Sequence, residues 1–299
     1  MAFPTDTHDG TSLANSIPAL WGEKINEFFR AKLVAAPFFT DRSEELAGGG
    51  NILYTPSVTE LTASSKTNAA AVTLNNPTDP KITLTVNQWY EASFAIEDKE
   101  AAQVKHSYTL MERYAKSAAY AVAKQLDGAI VALFSGFLNT VGSSTADVAD
   151  SDIRSAIAKI TGEDVPFEEC AFFVHPVVFW DQIQGIDKFS LAVNSPINDP
   201  TAKTPAGYLY GQPVYQTTQI DYVSGTTGRV NALAHPDAIH WATSPLGAGG
   251  SMGQYVGSGG VRVQSSYIPQ YLSTVTTADV LYGVIENRDG AGVVIYSSE

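Results

Sequence analysis

At 299 residues the chain can bury one substantial core or two smaller ones. Hydrophobic residues make up 44% and charged residues 16%, which excludes a disordered tail. The net charge of −13 excludes the concentrated basic surface that a nucleic-acid reader needs. Cys170 is the single cysteine, so neither an intramolecular disulfide framework nor a cysteine-based zinc cluster can form. It adjoins the apolar run Ala171-Phe172-Phe173-Val174 and reads as a small buried hydrophobe.

The opening Met1-Ala2-Phe3-Pro4-Thr5-Asp6 carries neither the basic region nor the apolar core of a secretion signal. No apolar run approaches the roughly 20 residues that cross a bilayer. The expectation is a soluble protein made and used in a cytoplasm, with no membrane partner. Residues 1–16 read as a polar arm ending at Ser16, a good helix cap. Trp21, Ile25, Phe28, Phe29 and Leu33 then recur at helical spacing, with Glu23, Lys24, Glu27 and Arg30 on the other face. That mixed-sign polar face suits packing against its own or a neighbouring subunit better than a membrane surface.

Beyond Gly48-Gly49-Gly50 the character changes to strand. Ile52-Leu53-Tyr54-Thr55-Pro56 is one candidate, and Lys81-Ile82-Thr83-Leu84-Thr85-Val86 alternates strictly between apolar and other residues. Too few large apolar residues accompany them to build a core, and an isolated two-stranded ribbon is marginal in water. The ribbon is expected to lie on something else, such as another copy of the chain. Val104, Tyr108, Met111, Ala115, Ala118, Val122, Leu126, Ala129 and Leu133 then predict one helix over about 99–135, opened near Asp98 and closed near Gly136. At 1.5 Å per residue it would run about 55 Å, long enough to cross the molecule. Its stripe is poor in Leu and Ile, against a coiled coil.

After Gly142-Ser143-Ser144, Asp152 to about Thr161 reads as a short helix with Ile153, Ile157 and Ile160 on one face. Cys170 to Pro176 reads as a buried strand stopped by proline, followed by a helical segment with Phe179, Trp180 and Ile183. In Leu209-Tyr210-Gly211-Gln212-Pro213-Val214, Gly211 offers unrestricted backbone and Pro213 fixes φ while removing a ladder donor, which suits a bend into an edge strand. Val230 to Pro236 repeats the strand-then-proline pattern, so 140–245 is expected to form a compact α/β unit. A glycine-rich stretch, 247–260, precedes strands over Val261 to Ser273, Val280 to Asn287 and Val293 to Tyr296, the last two joined as a hairpin by Asp289-Gly290.

Catalytic patterns match only superficially. Gly249-Gly250-Ser251-Met252-Gly253 has the serine-hydrolase spacing but no buried strand before it and no histidine after His240. It lacks the Gly-Lys-Ser/Thr of a phosphate loop. His235 and His240, five apart, share no helix face and have no third ligand at metal spacing. Glu44-Glu45 and Glu168-Glu169 sit in polar connections and read as solvated surface. No enzyme and no cofactor is expected.

Taken in order, these elements resemble the HK97-type major capsid proteins of tailed bacteriophages over about nine-tenths of the chain, with 1–16 unmatched. The resemblance rests on order, and on Phe172-Phe173-Val174-His175-Pro176 with Trp180 and the Leu209–Val214 phrase. It implies an α+β, HK97-like fold: an N-terminal arm and amphipathic helix (1–45), an extended β-ribbon or E-loop (46–95), a peripheral domain with a long spine helix (96–139), an axial α/β domain (140–245) and return strands of the peripheral domain (246–299). The implied function is a shell subunit that assembles with itself into hexamers and pentamers enclosing double-stranded DNA without reading its sequence, in a virion made in the bacterial cytoplasm. Scaffolding, portal and decoration proteins are implied partners; an encapsulin-like compartment of the same fold is the alternative. Trp21, Phe28, Phe29, Lys66, Ile82 and Leu84 are expected at contacts between subunits, and Leu209, Gly211, Pro213 and Val214 to start an axial-domain strand. Some family members crosslink a lysine to an asparagine with the help of a glutamate; Lys66 lies mid-ribbon, but no partners can be assigned to it.

Overall fold

The chain divides into Met1–Ala31 and Lys32–Glu299. The computed structural model describes residues 33–46, 48–58, 61–69, 71–78, 80–103, 107–186, 207–225, 227–244, 246, 253–254 and 261–299, all in the second unit. The amphipathic helix expected around Trp21, Phe28 and Phe29 and the Ser251 pattern lie outside the described residues.

In chain order the elements are β1 (Thr40–Asp41), β2 (Ile52–Pro56), β3 (Lys81–Thr85), β4 (Gln88–Glu97), α1 (Asp98–Gln103), α2 (Ser107–Ala132), β5 (Asn139–Gly142), α3 (Asp150–Gly162), β6 (Ala171–Val174), β7 (Tyr208–Leu209), β8 (Gln212–Gln216), β9 (Arg229–Ala234), β10 (Ile239–Thr243), β11 (Gly253–Gln254), β12 (Arg262–Ile268), β13 (Ser273–Glu286) and β14 (Gly292–Ser297). Where one helix was expected over 99–135, the described residues form α1, α2 and a 3-10 turn, Leu133–Gly136, and 104–106 lie outside them. With 26 residues α2 is about 39 Å long.

Two six-stranded sheets organise the body. Sheet I runs β1-β10-β13-β12-β11, with β4 paired to β13 over Gln88–Glu97. Sheet II runs β5-β14-β9-β6-β8-β7. Strand alternation divides sheet II cleanly. Phe172, Val174, Leu233, Val293 and Ile295 face Ile153, Ala156 and Ile160 of α3. Ala171, Phe173, Ala232, Ala234 and Val294 face the other way, into a core shared with Val122, Leu126, Ile130 and Val131 of α2 and with Ala278, Val280 and Tyr282 of sheet I. The spine helix therefore sits in the core that both sheets share. Near its C-terminal end the buried set widens from Val122 and Leu126 to include Asp127, Ile130, Val131 and the following Phe134, because Val34–Phe39 covers a second side.

The hairpin expected from Asp289-Gly290 does not form. β13 belongs to sheet I and β14 to sheet II, joined by a 3-10 turn, Asp289–Ala291. A matching 3-10 turn, Pro236–Ala238, carries β9 of sheet II into β10 of sheet I. The two turns are tied by His235 N–H to the Ala291 carbonyl (3.0 Å) and Asn287 N–H to the Ala238 carbonyl (2.8 Å). Gly292 lies so close against the Phe137 ring that a Cβ there would overlap it. Asp-Gly marks a turn, but packing against Phe137 and the neighbouring turn decides where the chain goes next. The linear division at residue 245 is thus crossed twice, by β10 in sheet I and by β14 in sheet II. The strand expected from Val261 to Ser273 is likewise interrupted: β12 stops at Ile268, before Pro269, and Ser273 opens β13.

Candidate assembly surfaces and the Asp127 cluster

The ribbon is built from β2 and β3, paired antiparallel from Ile52↔Thr85 to Pro56↔Lys81. Its base does not wait for another copy: Leu84 and Val86 pack with Leu46 and Ala242 and against Leu53, Leu281 and Ile285. Leu84 is 2% exposed, so its surface is used within its own subunit; Ile82 is half-buried. Gly283 permits this seat, since a Cβ there would overlap the Thr85 carbonyl. The tip is different. Val58, Leu61, Val72 and Leu74 are exposed, Leu74 by 85%, on chain with no ladder of its own. The Asn75 side-chain amide donates to the Thr62 carbonyl (2.8 Å) across the tip, and the Lys66 ammonium donates to the Thr67 carbonyl (3.0 Å). Apolar side chains held out on a strap have no folding reason to be there.

The Leu209–Val214 phrase is a β-hairpin. Tyr208 pairs with Pro213 and Leu209 with Gln212, around Tyr210 and Gly211 at φ 51° and 87°. Two central residues at positive φ are what a tight primed turn demands, and Gly211 meets that without strain. Pro213 lacks an N–H, and the next donor, Val214 N–H, reaches the Gly207 carbonyl (2.7 Å). Leu209 and Val214 are buried against the α3 side, and the Gln212 side-chain amide faces the Cys170 and Glu168 carbonyls, which its nitrogen is suited to meet as donor. β8 lies next to last in the sheet, between β6 and the two-residue β7. The Tyr210 hydroxyl donates to Asp150 at the start of α3.

One buried polar cluster among the described residues was missed by sequence reasoning. Asp127 is fully buried on α2. Its Oδ1 accepts from Ala35 N–H (2.8 Å) and Ala36 N–H (2.9 Å). Its Oδ2 accepts from Val34 N–H (3.4 Å) and the Gln219 side-chain amide (2.9 Å). Burial pushes this carboxyl up, and the three backbone donors pull it back by less. The turn it holds continues through Phe38 N–H and Phe39 N–H to the Ala35 carbonyl. Phe38 then meets Phe173 (5.2 Å) and Tyr215 (5.7 Å), and Phe39 meets Phe134 (5.9 Å) and Phe173 (5.4 Å). From sheet I the Trp241 indole N–H lies 3.1 Å from the Ala36 carbonyl and 3.3 Å from that of Phe39. The signal was present in the sequence: Asp127 is the one charge in the otherwise uncharged run from Gln125 to Thr145.

Other polar groups brace the scaffold. Arg262 grips Asp279 (2.5 and 2.9 Å) across β12 and β13, and the Trp89 indole N–H joins the same carboxylate (3.1 Å). Arg229 binds Glu299 (2.7 Å), donates to the Ile220 carbonyl and stacks on Tyr222 (3.6 Å). Asn231 bridges His175 N–H, the Ile295 carbonyl and the Ser297 hydroxyl inside sheet II. His235 meets Glu169 (3.0 Å) and, through its other ring nitrogen, accepts from Asp237 N–H (3.1 Å). His240 faces Asp237 at 3.6 Å. Burial lifts the Cys170 thiol to about 12, leaving it protonated. Among the described residues no three His, Cys, Asp or Glu side chains are grouped to hold a metal, and no helix is long and apolar enough to cross a membrane.

No protein-family model matches the chain, and neither does any curated sequence. Solved structures do. One, from Mycobacterium phage Che8, aligns with TM-score 0.72 and 20% identity over 93% of this chain and 96% of its own. The capsid of the Cyanophage P-SCSP1u aligns with TM-score 0.72 and 12% identity over 99% and 97%. The mature capsid of bacteriophage PhiM1 gives 0.72 and 12% over 94% and 92%. The chain therefore has the fold of these phage structures, the HK97-like arrangement that the order of its elements resembles.

Proposed function

We propose that this chain is a major capsid protein, which assembles with itself into hexamers and pentamers of an icosahedral shell around a double-stranded DNA genome. The observation that carries this reading is likeness to solved phage structures, with more than nine-tenths of both chains aligned. The exposed apolar ribbon tip supports it, because only a neighbouring subunit would give those side chains a dry surface. In this reading 46–95 is the E-loop, α2 the spine of a peripheral domain centred on sheet I, and sheet II with α3 the axial domain. Ile82 and Lys66 are the ribbon's contact residues, joined by Trp21, Phe28 and Phe29 from the N-terminal region. The role is structural, without a catalytic step. Scaffolding, portal and decoration proteins are the expected partners, the virion the destination and the host cytoplasm the site of assembly. The net charge of −13 suits a container that holds DNA without gripping it.

The test is expression of the chain, alone and with its neighbouring phage genes, followed by electron microscopy. Closed icosahedral particles are expected, with DNA and a portal when the phage genes are present. A protein that stays monomeric at every concentration overturns the reading. Shells that enclose a dedicated protein cargo in place of DNA assign it instead to an encapsulin-like compartment.

A further inference from the structure

At the Val34–Phe39 turn α2, both sheets and the segment after β8 converge. Asp127 offers it two oxygens, and four donors use them: three successive backbone N–H groups and the Gln219 amide. Three adjacent N–H groups converging on one carboxylate form a small anion nest, filled here by the chain's own side chain. Such a group has no solvent to fall back on, since Asp127 is 0% exposed. The opposite side of the turn is held by Trp241 of sheet I, through the Ala36 and Phe39 carbonyls. Its aromatic rings lie on Phe173 and Tyr215 of sheet II and on Phe134 beyond the helix. The turn also continues directly into β1, which pairs with β10 through Thr40↔His240 and Asp41↔Trp241. A wedge that touches both sheets fixes the angle between them only while it is seated. Asp127 is the polar group that seats it.

We propose that the Val34–Phe39 turn is a keystone seated by Asp127, and that this seating sets the angle between the two sheets and with it the curvature, hence the diameter, of the assembled shell. The proposal rests on the shell reading above. Asp127 is a positioning residue: it is fully buried in its own chain and acts through the turn.

Two variants test it. Asp127→Ala removes all four acceptor contacts while keeping a good helix former. Asp127→Asn keeps the shape but places an amide where two donors converge, and serves if the alanine variant does not fold. Amide hydrogen exchange at Val34, Ala35 and Ala36 is expected to speed up at least tenfold in either variant. Negative-stain diameters are expected to broaden or shift away from the single wild-type class. Ile153→Ala, a truncation on the α3 side remote from the turn, provides the stability-matched control. It is expected to lower the unfolding midpoint yet leave particle diameter unchanged. Unchanged exchange in both aspartate variants would falsify the seating. Faster exchange with wild-type diameter overturns the link to curvature, and so does a diameter shift that Ile153→Ala reproduces. Wild-type protein that builds no shells at all removes the capsid reading first, so the two failures are distinguishable.

Discussion

At the scale of single residues, the polar interior predicts how the subunit responds to acid. His175 and His240 are buried, and both are held below the ordinary histidine value, chiefly by burial. Arg229 adds to the effect at His175, where Glu299 opposes it; Arg42 and Arg288 add to it at His240, where Asp237 opposes. A depressed folded-state pKa means that the unfolded chain binds protons first. The stability these neutral rings contribute is therefore full above the unfolded value of about 6.5 and is lost as pH falls through the folded values. The denaturant midpoint of the free subunit is expected to fall between pH 7 and pH 5. A His175→Gln, His240→Gln double variant should flatten that fall, and an equally steep decline in the variant would show that other groups carry it.

At the scale of elements, Gly283 governs how the ribbon sits. The backbone at Thr85 and Val86 crosses β13 there, with no room for a Cβ. Gly283→Ala must lift the ribbon base off Leu46, Ala242 and Leu281, and overpacking of this kind costs about 1–3 kcal/mol. Denaturant unfolding of the free subunit measures it, and an unchanged midpoint would mean that the ribbon is not seated on β13. The ribbon also shows what sequence can and cannot report. The alternation of Ile82, Leu84 and Val86 made β3 legible, and the Ala-rich stripe through Ala118, Val122 and Leu126 did the same for α2, because both depend on local period. The destination of Leu84 was not legible, since its partners Leu46 and Ala242 lie far away in sequence. The β13–β14 turn failed for the same reason: Asp289-Gly290 signals a reversal, while Phe137 and the Pro236–Ala238 turn send the chain into another sheet. Asp127 was visible as a lone charge, but its four donors come from Val34–Ala36 and Gln219, which no spacing rule connects to it.

At the scale of the whole molecule, the ribbon tip stands apart from the cores that hold the fold. The two sheets, α2 and α3 enclose the main cores, whereas Val58, Leu61, Val72 and Leu74 contribute nothing to them. Replacing 57–80 by a short turn between β2 and β3 should leave the unfolding midpoint within about 0.5 kcal/mol of wild type, the usual range for surface changes. The same deletion is expected to abolish stable shells, read by sedimentation and electron microscopy. Normal particles from it would remove the ribbon tip from the assembly contacts.

The paired crossings between the sheets carry one more consequence. β9 to β10 and β13 to β14 pass from sheet to sheet side by side, their 3-10 turns cross-tied at His235–Ala291 and Asn287–Ala238. Two links that bend at the same level define a common axis. Sliding one sheet past the other would break both ties, and the shared core beneath them, with the Val34–Phe39 turn seated in it, opposes opening about that line. The two sheets are therefore clamped as one unit, not strung as two domains on a linker.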